Sequence, residues 1–168
     1  MTMDDVSPEP VPPSRASLAI ITEPGQANAY GTLHGGVLLK LADECGAIAA
    51  LRHVGRGQIT TAAIDSVTFV GPVYVGERVE LCAEVTYVGR TSIETRIEIV
   101  AEPLERAERR KVAVGYALYV ALDESGRYPQ PVPPLLIESE ASRCVWEAAV
   151  ARQAVRLARR AEAQASGD

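Results

Sequence analysis

The segment from 35 to about 53 constrains the fold more than any other part of the chain. Its apolar residues, Val37, Leu38, Leu39, Leu41, Ala42, Cys45, Ala47, Ile48, Ala49, Ala50 and Leu51, cover almost every side of a helical wheel. A helix that is apolar all round is buried all round, so the rest of the chain must supply a layer that wraps it. At 3.6 residues per turn the segment makes about five turns, long enough to be the spine of a domain. Gly55 and Gly57 then end it. A chain of 168 residues is sized for one such domain.

The wrapping layer reads as sheet. Val79, Leu81, Ala83, Val85 and Tyr87 alternate with Arg78, Glu80, Cys82, Glu84 and Thr86, the period-2 mark of a strand with two different faces. Ile93, Ile97 and Ile99 alternate in the same way with Glu94, Arg96 and Glu98, and Gly89-Arg90 joins the two strands as an antiparallel hairpin. Residues 112–122 place Val112, Val114, Tyr116, Leu118, Val120 and Leu122 on one face and mostly Ala, Gly or Tyr on the other, which predicts that both faces are covered. A strand from about 59 to 70, ended by Gly71-Pro72, and a short first strand over 16–22, ended by Glu23-Pro24-Gly25, complete a set of five. One strand, one buried helix and four further strands make an α+β pattern.

The ends differ from the middle. Pro8, Pro10, Pro12 and Pro13 predict an extended or disordered tail over 1–15, and the acidic residues among them are unlike an export signal. The domain proper is expected over 16–126. A linker follows at 127–137, marked by Pro129, Pro131, Pro133 and Pro134. Residues 138–168 then contribute a terminal helix over 139–165, whose apolar stripe of Trp146, Val150 and Leu157 is weak. A formal charge of −5 argues against nucleic acid as a partner. No apolar run approaches the roughly 20 residues of a membrane span. Cys45, Cys82 and Cys144, odd in number and set among apolar residues, suit buried thiols in a reducing, cytoplasmic compartment. His34 and His53, without clustered cysteines or carboxylates, do not make a metal site.

Two stretches carry a resemblance. Asn28-Ala-Tyr-Gly-Thr-Leu-His-Gly-Gly-Val-Leu-Leu-Lys-Leu-Ala-Asp43 is similar to the hotdog-fold thioesterases, and within them to the acyl-CoA hydrolase branch, which shows Asn, a short spacer, Gly-Gly, and Asp seven residues after the second Gly. The block from Asp65-Ser-Val-Thr-Phe-Val-Gly-Pro through Val88-Gly-Arg-Thr-Ser92 also resembles this family. Together they cover about residues 16–122. The resemblance implies a hotdog fold, a five-stranded antiparallel sheet wrapped around the long helix, here with an additional C-terminal helix. It also implies a homodimer as the minimal active unit, with hexamers built from three dimers, and acyl-CoA as substrate with no cofactor beyond the CoA it carries.

Thioester hydrolysis needs a base to activate water and donors to hold the developing oxyanion. Asp43 is the candidate base, acting on water or as a nucleophile forming a mixed anhydride; the plainer reading is a structural carboxylate that pairs with Lys40 or caps a neighbouring element. Gly35 and Gly36 open the helix, where amide N–H groups lack partners and the dipole is positive, and the resemblance makes the Gly35 amide the oxyanion donor. Asn28 is implied as the water or carbonyl contact from a facing subunit; an Asx turn is the alternative. His34 is placed to polarise the thioester or to make a local hydrogen bond. Arg90, Thr91 and Ser92 suit CoA phosphate oxygens, or form a solvated turn. Two rival functions stay open. A hotdog hydratase or dehydratase would need His34 paired with Asp43, and a noncatalytic acyl-CoA-binding regulator would bind without turnover.

Overall fold

A computed structural model describes residues 9–165. Its described residues form β1 (Arg15–Ile21), α1 (Gly35–Val54), β2 (Gln58–Phe69), β3 (Arg78–Val88), β4 (Ser92–Glu102), β5 (Arg110–Leu122) and α2 (Glu140–Ala165). The five strands make one sheet in the order β1-β3-β4-β5-β2, with every pairing antiparallel. The first two strands therefore lie at opposite edges, and α1 crosses the sheet between them.

This is the wrapped helix expected from the sequence. Leu38, Leu41, Ala42, Cys45, Ala49 and Ala50 of α1 are buried against Val79, Leu81, Ala83, Val85, Ile93, Ile97 and Ile99. Gly55 caps the helix in the left-handed region at φ 76°, its N–H bonded to the Leu51 carbonyl, a conformation glycine adopts without a Cβ penalty.

In β5 the faces are assigned by size rather than by hydrophobicity. The ladder toward α1 is Ala113, Gly115, Ala117, Tyr119 and Ala121, all buried, while Val114, Tyr116, Leu118 and Val120 on the other face are half-buried. A helix lying close on a sheet leaves room only for small side chains, so the bulkier face turns outward, toward α2.

α2 docks by a stripe different from the one expected. Trp146, Ala149, Arg152 and Arg156 face the sheet, whereas Val145, Val150, Val155 and Leu157 are exposed. Arg152 lies 3.9 Å from the centre of the Tyr116 ring and 2.8 Å from the fully buried Glu94, and Arg156 bonds both Glu94 and Asp65. Tyr116 and Tyr119 are an odd number of residues apart on one strand, so α2 and α1 cover opposite faces.

Two further expectations change. Cys45 is buried, but Cys82 and Cys144 are exposed: Cys82 falls on the polar phase of β3, facing outward. Of the stretch read as a tail, residues 1–8 lie outside the described residues. Within the rest, Val11 pairs with the linker, its N–H donating to the Pro134 carbonyl and its carbonyl accepting from Leu136 N–H. The prolines flanking Val11 leave its own N–H and C=O free for this. Among the described residues no helix is long and apolar enough to cross a membrane.

Candidate active site

Asp43 lies two turns into α1, half-buried, where the helix passes over β2 and β5. Its carboxylate takes hydrogen bonds from hydroxyls. Thr61 Oγ1 donates to Oδ1 at 2.9 Å from β2, and the Tyr119 hydroxyl donates to the Asp43 carbonyl at 3.0 Å, with Oδ1 at 3.4 Å. Lys40 does not pair with Asp43; its ammonium lies 2.9 Å from Glu44 one turn further on. Burial, followed by the nearby charge of Asp43, pushes the Tyr119 phenol well above its ordinary value, so it stays a donor. Thr61 is exposed, so in one subunit the carboxylate faces open solvent on one side.

The amino terminus of α1 divides its two glycine amides. His34 is the N-cap, at φ −65° and ψ 130°, and its Nδ1 accepts the Gly36 N–H at 2.9 Å. That bond places the ring proton on Nε2 and occupies the Gly36 amide. The Gly35 N–H has no partner among the described residues, and it sits at the positive end of a 20-residue helix.

Asn28 organises the loop before α1. Its Oδ1 accepts from Tyr30 N–H at 2.9 Å and Thr32 N–H at 3.2 Å, and its Nδ2 donates to Thr32 Oγ1 at 2.9 Å. This is the Asx-turn arrangement, with one amide hydrogen to spare. Asn28 and Asp43 share no hydrogen bond within the subunit.

The hairpin tip is close to Asp43 along the sheet. Ser92 pairs with Val120, and the next rung joins Ile93 to Tyr119 and Thr61. The Arg90 and Thr91 carbonyls are taken by Val132 and Ala121 N–H groups, which fixes the turn. The Arg90 guanidinium is exposed and has no partner among the described residues.

A small apolar cleft of about 10 Å³ opens beside Asp43, lined by Ala42, Ile64, Val67, Ile97, Ile99 and Gly115 among others. Larger hollows of about 390 and 520 Å³ lie elsewhere, one under the linker and the start of α2, the other on the outer face of the sheet. Neither touches Asp43. Among the described residues no group of three or more His, Cys, Asp or Glu is arranged to hold a metal ion.

Sequence reasoning missed Thr61 and Tyr119. Both carry a faint signal, one a hydroxyl on a strand with little alternation, the other the lone bulky side chain in a ladder of alanine and glycine.

Known proteins resemble this chain in sequence and in architecture. Residues 30–108 match the model of the thioesterase superfamily. An acyl-CoA thioester hydrolase of Bacillus subtilis is 36% identical over 144 residues, covering 84% of this chain and 81% of that protein. A solved apo-hexameric acyl-CoA thioesterase is 35% identical with a TM-score of 0.84, over 91% of this chain and 98% of the other. The acyl-CoA hydrolase of Staphylococcus aureus, solved with butyryl coenzyme A, coenzyme A and coenzyme A disulfide, is 31% identical with a TM-score of 0.81, over 90% and 92%. Identity at this level across four-fifths or more of both partners goes beyond a shared fold, and the chain belongs to the thioesterase superfamily, in its acyl-CoA hydrolase branch.

Proposed function

We propose that this protein hydrolyses acyl-CoA thioesters to free acid and CoA at a site shared by two subunits, with Asp43 as general base. The observation that carries the reading is the company Asp43 keeps: hydroxyl donors orient the carboxylate, and its nearest lysine is committed to Glu44. A carboxylate held this way presents an oriented oxygen that can take a proton from water. The water oxygen then adds to the thioester carbon, and the carbonyl oxygen gathers negative charge against the Gly35 N–H. As the tetrahedral intermediate collapses, the C–S bond breaks and the proton on Asp43 passes to the departing sulfur.

Reach decides how many subunits are needed. Eight residues of helix separate Gly35 from Asp43, about 12 Å at roughly 1.5 Å rise per residue, so one substrate carbonyl does not meet both on the same chain. A second copy supplies the complement: Gly35 of one subunit with Asp43 of the other. The surface around Asp43 suits such a copy. β2 is a sheet edge of 12 residues, and large apolar side chains are exposed on it and on the adjoining face of α1, among them Ile64, Phe69, Ile48 and Leu51. An open apolar edge invites a further strand. Joining β2 to its symmetry mate would dry the carboxylate and enlarge the cleft beside it, which is too small for an acyl chain in one subunit. Three such dimers would make a hexamer like that of the solved relative.

The spare amide hydrogen of Asn28 is available for the attacking water, and the free Arg90 guanidinium, with Thr91 and Ser92, for the CoA phosphates. No cofactor is required beyond the CoA of the substrate. His34, whose Nδ1 is spent on Gly36, is poorly placed for the base that a hydratase needs. Exposed Cys82 and Cys144 support a reducing, cytoplasmic setting.

Thiol release over a panel of acyl-CoA esters tests the reading, with wild type active and Asp43→Ala inactive. Gly35→Pro removes the proposed oxyanion donor at the first helical position, where proline is tolerated after an extended residue such as His34. It should lower kcat by about 10²–10³-fold. Each variant is inactive alone, yet co-assembled Gly35→Pro and Asp43→Ala subunits regain about a quarter of wild-type activity, because half the dimers contain one intact site. Failure to regain any would place the site within a single subunit.

A further inference from the structure

We propose that Tyr119 is a positioning residue that clamps Asp43 for catalysis, and that Gly46 is glycine so that the Tyr119 hydroxyl can reach it. The inference rests on Asp43 being the base.

Tyr119 is out of scale with its surroundings. Its neighbours on the α1-facing ladder of β5 are Ala113, Gly115, Ala117 and Ala121, and it is fully buried among them. A phenol fits only because α1 drops a side chain opposite it. A Cβ on Gly46 would collide with the Tyr119 hydroxyl and come within 2.7 Å of Thr95 Oγ1 and 3.3 Å of Ile97 Cδ1. Glycine in a helix interior is destabilising relative to alanine, so its use three residues after Asp43 points to a gain elsewhere.

The hydroxyl has one proton and two acceptors in range, the Asp43 carbonyl at 3.0 Å and Asp43 Oδ1 at 3.4 Å. Thr61 donates to the same Oδ1 from the neighbouring strand. Both side-chain contacts therefore fall on one carboxylate oxygen, and Oδ2 has no partner among the described residues. That asymmetry turns Oδ2 outward as the oxygen that receives the proton from water. Burial keeps the phenol protonated well beyond neutral pH, so the clamp does not release within the working range. The buried Thr95 Oγ1 packs over the same glycine beside the Tyr119 hydroxyl and confines the ring.

Three variants test this with acyl-CoA thiol release and unfolding midpoints measured side by side. Tyr119→Phe keeps the ring and removes the clamp; kcat should fall roughly 10- to 100-fold, as expected for a hydrogen bond to a charged group, with KM changed less than about twofold. Gly46→Ala keeps the hydroxyl but displaces it, and should give a similar fall in kcat at similar KM. In the double variant the two losses should not multiply, since each removes the same contact. A merely space-filling Tyr119 would leave kcat in Tyr119→Phe within about twofold of wild type, or the two losses would multiply; either result overturns the proposal. Asp43→Asn is the reference: activity surviving in it would sink the general-base reading itself, whereas an inactive Asp43→Asn beside an unaffected Tyr119→Phe sinks only the clamp. Should Tyr119→Phe fold poorly, Gly46→Ala carries the same kcat-against-KM readout alone.

Discussion

Two carboxylates on opposite faces of one sheet receive opposite treatment. Asp43, carried by α1, points at one face of the sheet and is served by the hydroxyls of Thr61 and Tyr119. Glu94 faces α2, is fully buried, and holds Thr86 at 2.7 Å and Arg152 at 2.8 Å on Oε1 and Arg156 at 2.6 Å on Oε2. A hydroxyl orients a carboxylate without bringing a counter-charge. Guanidinium groups bring counter-charges and fill the lone pairs, which pins the carboxylate in one place. The same functional group is left with an open oxygen on one face and is locked on the other, and the two sets of donors differ accordingly.

Exchanging each carboxylate for its amide or for alanine separates the two roles, and the largest effect is expected at Asp43. Asp43→Asn preserves an acceptor for Thr61 while abolishing the base, so kcat should fall about 10²–10⁴-fold with little change in unfolding free energy. A comparable drop in stability would mean that Asp43 too is a lock. Glu94→Ala should do the reverse. It strips Arg152 of its carboxylate and leaves Arg156 with Asp65 alone, and should cost about 3–5 kcal/mol in urea unfolding, with kcat per folded subunit close to wild type. Replacing the whole cluster, as Glu94→Leu with Arg152→Met and Arg156→Met, should recover most of that loss, because well-packed apolar groups often match a buried ion pair.

These two faces also differ in how much of them can be read from sequence. The α1 face was legible: an apolar wheel from 35 to about 53 and alternation at Val79, Leu81, Ala83 and Val85 fix helix, sheet and their contact, and the spacing of Gly35-Gly36 to Asp43 marks the candidate site. The α2 face was not. Its docking stripe substitutes Arg152 and Arg156 for apolar residues, and a helical pattern search reads arginine as solvent-facing; only the partner Glu94, 58 residues away in sequence, makes burial favourable. Thr61 was hidden for another reason. β2 has register shifts between Thr61 and Ala63 and between Ile64 and Ser66, and each resets the phase of alternation, so no period-2 argument tells which way Thr61 points. Tyr119 was visible as an oddity, but its acceptor lies 76 residues away.

Thr61 gives the next test of the hydroxyl side of the comparison. Thr61→Val keeps the branched shape and removes the donor at 2.9 Å, and kcat should fall by roughly tenfold, the scale of one hydrogen bond to a charged acceptor. The unfolding midpoint should hardly move, since Thr61 is exposed. Loss of stability without loss of kcat would show that hydroxyl donors near Asp43 serve the fold rather than the base.

The smallest effect concerns a third kind of tether, one that is neutral. His53 is buried near the carboxyl end of α1, with Nε2 2.9 Å from the Pro133 carbonyl of the linker and Nδ1 without a partner. Burial lowers its proton affinity below the ordinary value of 6.5, only partly offset by the Pro133 contact. A group depressed in this way favours the fold while neutral. Its contribution is complete above the unfolded value of 6.5 and is lost as pH falls toward the folded one, because protonation would bury an N–H on Nδ1 with no acceptor. The loss between pH 6.5 and 5.5 is bounded at about 1.4 kcal/mol. His53→Gln retains a donor for Pro133 but does not titrate, so its urea midpoint should vary less than that of wild type over this interval. Equal pH dependence in the two proteins would assign the effect to other groups, and would leave His53 a packed side chain with no part in fastening α1 to the linker.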